Sequence, residues 1–436
     1  MSDTNELGPF EAVRRLRFDA PFPRMLNVRQ QMVGDDLADV VSATAEALEG
    51  MRERVKPGMT VAVTAGSRGV HDMVEVIRFV GQWLSAAGAR PFVVPAMGSH
   101  GGATVDGQLA MLAKLGITPD TVGMPVKATM DTVELGRVDG GPMVHLDRNA
   151  AEADGVLVIN RVKPHTDFRG PVESGLAKIT AIGLGKQRGA EGIHAYGPAA
   201  LARWIPAIAR HIVATGKILG GLAIVENGHH RTARIALLSP EEIGGAAEAA
   251  LLVEASTLMG RLPFDDIDVL VVDVLGKDKS GAGMDPNVLG RMLIRGTPEP
   301  DTPRIGCVVV LDISDASRGN GAGLGLADFV PLRLVERLDL YATYLNSITS
   351  GLGGVQRAQV PIALATDRDA VAAAMRCCGR PEIDALRVVR IRDTLTMSEL
   401  QVSASLEMDV VENPALEIVG DAGPLTFDGE GCLAKW

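Results

Sequence analysis

Apolar positions along this chain recur in two alternating patterns. Leu37, Val40, Val41, Leu48 and Met51 fall on one face at helical spacing, with Thr44 the polar member of the stripe, and predict a first helix over 35–53. Lys56-Pro57-Gly58 then turns the chain into a short apolar run of strand character over 60–64. A helix over 71–87, closed by Gly88, a strand over 91–96 and a helix over 104–115 repeat the scheme. A predicted hairpin, 133–138 with 142–146, interrupts it before a strand at 155–160. A helix at 198–215, strands at 219–226 and 232–238 and a helix at 240–258 follow. A second series predicts strands at 268–273, 305–311, 360–364 and 385–391 and helices at 332–348 and 368–377.

Strand–helix alternation with short connections predicts parallel sheets covered on both faces. Pro263, Asp265 and Asp266 separate two apolar blocks. The expected fold class is therefore α/β: two α/β domains with mainly parallel sheets, residues 1–264 and 265–436, and an interdomain active-site cleft. The last residues are free to return to the first domain.

Composition narrows the partners. A chain of 436 residues that is 46% hydrophobic can bury two cores. The net charge of -11, with no basic stripe, excludes nucleic acid as the expected partner. No apolar run approaches the roughly 18 residues of a membrane span, and residues 1–9 lack a signal-type apolar stretch. Cys307, Cys377, Cys378 and Cys432 lack the spacing of a zinc or redox motif. A reduced, cytoplasmic setting is expected, and self-association into a homo-oligomer is left open.

Three polar loops leave predicted strand ends. Ala65-Gly66-Ser67-Arg68-Gly69 follows the first strand, Gly98-Ser99-His100-Gly101-Gly102 the second, and Arg161-Val162-Lys163-Pro164-His165-Thr166 the strand ending at Asn160. Ligands of parallel α/β sheets bind beyond the carboxyl ends of strands, so Arg68, His100 and His165 are expected to face one cleft. Each histidine alone reads equally as a solvated turn residue, but two from separate loops suit general acid–base chemistry. Between Glu173 and His194 lie Lys178 and a glycine-rich run, Ile182-Gly183-Leu184-Gly185-Lys186. An apolar, glycine-rich setting suits a lysine of lowered pKa, and the backbone at Gly183 and Gly185 could approach a phosphate. The plainer alternative is a helix with two surface lysines.

Together, His100 in its Gly-x-His loop, His165, Lys178 and His194 resemble the constellation of the nickel-dependent lactate racemase family. The resemblance is strongest from Thr64 to His194 and weak beyond Asp268. It implies that Lys178 is joined to a nickel-pincer nucleotide and that His194, sixteen residues later, binds the nickel. It further implies that His100 and His165 serve as acid and base in racemising or epimerising a 2-hydroxy acid. Ser67 and Arg68, with Gly183 and Gly185, become cofactor contacts, and cofactor-synthesis proteins become maturation partners. The family's first loop commonly reads Asp-x-Thr-Arg-Pro, where this chain has Ala65-Gly66-Ser67-Arg68-Gly69. Its second loop commonly carries Arg where Gly101 stands, and the interval from His165 to Lys178 is a few residues longer here. These departures touch substrate contacts, so the expected substrate is a 2-hydroxy acid other than lactate.

Two other readings compete. His100, His165 and His194 could ligate a metal directly in a hydrolase or lyase, with Asp167 or Glu173 as carboxylate. Alternatively, the chain could store a nucleotide-like ligand without turnover. Lys279, Asp285 and Asn287, in a glycine-rich segment after the strand at 268–273, are candidate substrate contacts from the second domain. Tyr344 to Gly354 places polar groups at a helix end and is a candidate cleft lining. His229 and His230 read as a solvated hairpin turn, and His71, His145 and His211 as structural or surface residues.

Overall fold

Strand alternation builds two separate sheets. The computed structural model describes residues 9–18, 20–420 and 423–435. The strands, in chain order, are β1 (Arg24–Gln30), β2 (Thr60–Ala65), β3 (Arg90–Pro95), β4 (Thr132–Arg137), β5 (Met143–Asp147), β6 (Gly155–Arg161), β7 (Ile218–Glu226) and β8 (Thr232–Leu238). They continue as β9 (Asp266–Leu275), β10 (Arg304–Ile313), β11 (Phe329–Pro331), β12 (Ile362–Leu364), β13 (Val388–Ile391), β14 (Glu399–Ser403), β15 (Leu416–Ile418) and β16 (Gly423–Pro424). The fold is α/β, with both sheets largely parallel.

One compact unit comprises Val33–Met259. Its sheet runs β3-β2-β6-β7-β8, parallel except for β8, and β4–β5 form a separate hairpin. Alternate residues of each strand enter different cores, as a sheet covered on both faces requires. Val61 and Val63 of β2 join Leu157 and Ile159 of β6 beneath the helices Val40–Glu49 and Met73–Ala86. Ala62, Val156 and Val158 point the other way, toward Trp204, Ile205 and Ile208 of the helix Pro198–Val213. Side-chain oxygens set the helix starts: Asp39 accepts from the Ser42 amide at 3.0 Å and Thr104 from the Gly107 amide at 3.1 Å.

The other unit joins Met1–Met32 to Gly260–Trp436. Its sheet follows the order β12-β11-β10-β9-β13-β14-β1-β15, with β16 also pairing β1. Strands β9 to β13 run parallel to their neighbours, whereas β14, β1 and β15 are antiparallel additions.

The division differs from the sequence expectation at the start of the chain. The change of unit near residue 260 lies close to the expected boundary, but the first 32 residues belong with the later segment. The cause is β1: Met25 to Arg29 pair with Ser403 to Glu399, and Met25, Leu26 and Val28 are buried. Two helices also differ. The expected helix over 332–348 is split into Leu332–Glu336 and Leu340–Thr349, because Asp339 caps a new start through the Ala342 amide at 2.9 Å. The helix expected from 240 begins at Ala246, after a 3-10 turn at Pro240–Glu242.

The pairing of β1 gives a first prediction. Val28→Asp buries a carboxylate between two strands and should destabilise the 260–436 unit by about 3 kcal/mol or more. Hydrogen exchange should then accelerate across β14 and β15, while β2, β3 and β6 keep their protection. Unchanged protection of β14 would contradict the role assigned to β1.

Candidate functional site

Strands β2, β3 and β6 are mutually parallel neighbours, so the three loops that leave them start from the same end of the sheet. The first two loops touch, since Ser67 Oγ and His100 Nδ1 share a short hydrogen bond. The His100 loop is tightly pinned. Gly98 donates its amide to the Gly183 carbonyl at 3.1 Å. At Gly101, φ is +70° and a Cβ would lie 2.5 Å from the Gly107 carbonyl carbon, so both conformation and space demand glycine. His100 itself is exposed.

Beneath this loop lies a fully buried lysine. Lys186 Nζ reaches Asp147 Oδ2 at 2.9 Å, Gln108 Oε1 at 3.0 Å and the Pro95 carbonyl oxygen at 2.5 Å. Gln108 Nε2 in turn donates to the carbonyls of Gly98 at 2.9 Å and His100 at 3.4 Å. Burial lowers the lysine pKa and raises that of Asp147, against the attraction of the pair. Lys186 is thus a structural anchor of the loops.

The third loop folds back on itself through paired Lys163 and Ser174 backbones. Inside it, the buried Glu173 carboxylate accepts the amides of His165 at 2.6 Å and Gly170 at 3.1 Å. Desolvation raises the Glu173 pKa, with those two amides and Arg169 opposing. His165 is buried against Phe168, ring centroids 4.5 Å apart. Its Nδ1 accepts the Asp167 amide at 3.0 Å, which leaves Nε2 as the proton-bearing nitrogen of the neutral ring. Burial, with Lys178 adding like charge and Asp167 opposing, pushes the imidazole pKa down to about 3.

Lys178 ends a short helix, Leu176–Lys178, that continues as a π-turn over Ile179–Gly183. The buried carboxylate of Glu248 accepts the Ala177 amide at 3.0 Å and the Gly244 amide at 2.8 Å, fixing the helix start. Desolvation lowers the Lys178 pKa to about 8, helped by the charges of Arg68 and Arg161 and resisted by Asp167. His194 ends the helix Lys186–His194, and its pKa is lowered by burial and by Lys178, with Asp167 again opposing. Arg68 is accessible to water yet ringed by protein. Desolvation and Arg161 lower its pKa, and Asp167 raises it. Arg161 itself pairs with Glu226.

Arg68, His165, Lys178 and His194 are therefore coupled by charge within the 33–259 unit, and His100 adjoins the loop of Arg68 through Ser67. Gly183 and Gly185 are required by packing. A Cβ on Gly183 would meet the Ala96 carbonyl oxygen at 2.6 Å, and one on Gly185 the Ala181 carbonyl oxygen at 2.5 Å. In the other unit, Asp285 caps the turn Pro286–Leu289 by accepting the Asn287 amide at 3.0 Å and side-chain nitrogen at 2.8 Å. Lys279 sits 3.2 Å from Asp393 and 3.5 Å from Asp278. These local partnerships account for all three residues, which the 33–259 unit does not contain. Among the described residues, no group of three or more His, Cys, Asp or Glu side chains is arranged to hold a metal.

Three residues that the sequence does not assign to the site emerge here, Arg161 as a second cation, Glu248 as the cap and Gln108 as the loop brace, while Asp167, a candidate carboxylate of the hydrolase reading, is the shared counter-charge. Only Asp167 and Arg161, in the loop with His165, carried a sequence signal. No protein-family model matches the chain, and no curated protein does. Among solved structures it is similar to the lactate racemase apoprotein from Thermoanaerobacterium thermosaccharolyticum, with 11% identity over 80% of this chain and 86% of that one, at a TM-score of 0.45. It is also similar to a structural-genomics protein from Thermotoga maritima, with 15% identity over 64% and 72% of the two chains, at a TM-score of 0.46.

Two predictions follow the electrostatics. Acylation of Lys178, followed by peptide mapping, should show half-maximal reactivity near pH 8, about two units below an ordinary lysine. A midpoint at the ordinary lysine value would remove the desolvated amine. For His165, the unfolded ring titrates at the ordinary 6.5 and the folded one at about 3. Between these values the unfolded chain binds a proton that the folded chain refuses, so stability falls as pH drops through the window. In denaturant melts between about pH 4 and 7, the stability of His165→Gln should fall less steeply with decreasing pH than that of the wild type, whatever the offset between the two at pH 7. An unchanged slope would contradict a buried neutral imidazole.

Proposed function

We propose that this chain is a racemase or epimerase of a 2-hydroxy acid other than lactate, working with a nickel-pincer nucleotide tethered to Lys178. One observation carries the reading: a lysine amine with its pKa lowered to about 8 shares a site with two imidazoles held neutral. An amine must be unprotonated to form a lasting covalent link, and an imidazole must be neutral to bind a metal. The residues present therefore suit the group. Lys178 would tether it, His194 would supply the protein's nickel ligand, and Arg68 would hold a phosphate or carboxylate.

When bound, the nucleotide supplies a reversible hydride acceptor. The chain's own residues then manage the protons and the substrate. His100, accessible and oriented by Ser67, takes the proton of the substrate hydroxyl. His165 offers Nε2–H as a donor to the same oxygen from a different loop. An anionic substrate set near Lys178 and Arg169 offsets their charge and favours the imidazolium of His165, formed when Nδ1 releases the Asp167 amide and takes a proton; His165 can then give a proton to the keto oxygen while His100 keeps the one it removed from the hydroxyl. Two histidines from separate loops allow the hydroxyl to be served in either configuration.

Protein co-produced with cofactor-synthesis enzymes should carry a covalent adduct on Lys178, visible in intact mass, together with nickel. Lys178→Ala should lose the adduct, and His194→Ala should keep it while losing most of the metal. An unmodified Lys178 under those conditions, or an adduct on Lys186, would overturn the proposal.

A further inference from the structure

The helix Leu340–Thr349 presents its apolar residues outward. Its buried positions are Thr343 and Ser347, whereas Tyr341 and Ile348 are 78% and 70% exposed and Tyr344 and Leu345 about half exposed. The inversion is locally stable because the buried hydroxyls are satisfied. Thr343 Oγ1 donates to the Asp339 carbonyl at 2.7 Å and accepts the Gly321 amide at 3.0 Å, and Ser347 Oγ donates to the Thr343 carbonyl at 2.7 Å. The next helix, Gly351–Gln356, packs against it and adds the exposed Leu352 and Val355. Within the segment that the sequence offers as a cleft lining, Tyr344 to Gly354, the Ser347 hydroxyl is turned inward while Tyr344, Leu345 and Ile348 face outward.

We propose that this face is the contact through which two copies of the chain associate about a two-fold axis. Two observations select a second copy over other occupants. The first is charge: from Leu340 to Gln356 the chain has no Lys, Arg, Asp or Glu, within a protein of net charge -11. A two-fold contact sets a surface against itself, so a patch with net charge of either sign would repel its own copy, and a face without charge avoids that repulsion. An anionic lipid surface would be met by Lys and Arg, and a basic partner by acidic residues. This face offers neither. The second is extent: its seven exposed apolar side chains, Leu340 included, present roughly 800 Å² to water, comparable to the area that each partner gives a standard interface. Tyrosines within an apolar patch are also typical of interface cores.

Sedimentation or light scattering of the full chain should report twice the 45.8 kDa chain mass. Tyr341→Glu combined with Ile348→Glu should halve that mass and leave the circular dichroism spectrum unchanged, since both side chains are exposed. If the pair perturbs folding, dilution of the wild-type protein serves instead. Amides over 340–356 should then exchange faster as the mass falls. A wild-type chain that is monomeric at all concentrations would overturn the proposal. So would a dimer that survives the double substitution or dissociates without change at 340–356.

Discussion

Placement of the reactive groups depends on one buried ammonium. Lys186 joins the end of β3, the helix Val105–Lys114 through Gln108, and the end of β5 through Asp147. The approach to Asp147 is close but poorly aligned for a hydrogen bond, so charge rather than direction couples the pair. Removing one member of such a pair leaves an uncompensated buried charge and typically costs about 3–5 kcal/mol. That arrangement gives rigidity where the chain most needs it. Gln108 is held by the lysine on one side and holds the carbonyls of Gly98 and His100 on the other. The exposed imidazole thus rests on a core that cannot rearrange without stranding a charge.

Above that anchor the balance of charge is one-sided. Arg68, Arg161, Lys178 and Arg169 gather around His165 and His194, with Asp167 as the recurring opposing charge. Desolvation heads the causes at each shifted group, and the cationic neighbours reinforce it. The result is a neighbourhood suited to anions, in which the imidazoles of His165 and His194 are kept neutral and the Lys178 amine loses its proton near pH 8 rather than at the ordinary lysine value. Glu173 and Glu248 stand apart from this balance because their carboxylates are turned to backbone amides, where they shape a loop and a helix start.

Strand ends and loop chemistry were legible in sequence because they rest on local signals. Apolar runs of strand length followed by Gly, Ser, Arg or His marked the ends of β2, β3 and β6, and the separation of Lys178 from His194 was visible directly. Residues that act over long separations were not. Glu248 lies seventy residues beyond Lys178 inside an unremarkable helix, and β1 finds its partner near the other end of the chain. Gly183 and Gly185 are ambiguous for another reason. Glycines that admit a neighbouring carbonyl and glycines that admit a phosphate look alike until the neighbour is seen. The inverted helix at 340–349 defeats periodicity outright, since its apolar stripe is real but faces away from the core.

The insertion of one unit within the other constrains how the polypeptide emerges from the ribosome. β1 is made first among the strands, yet its pairing residues in β14 arrive about 370 residues later. At typical rates of synthesis that is a delay of roughly 20–75 s, during which Met25, Leu26 and Val28 have no sheet to join. The 33–259 unit draws its strands from a continuous stretch and can complete its core while the rest is still being made. Capture of β1 is therefore a late event, open only once β14 has left the ribosome.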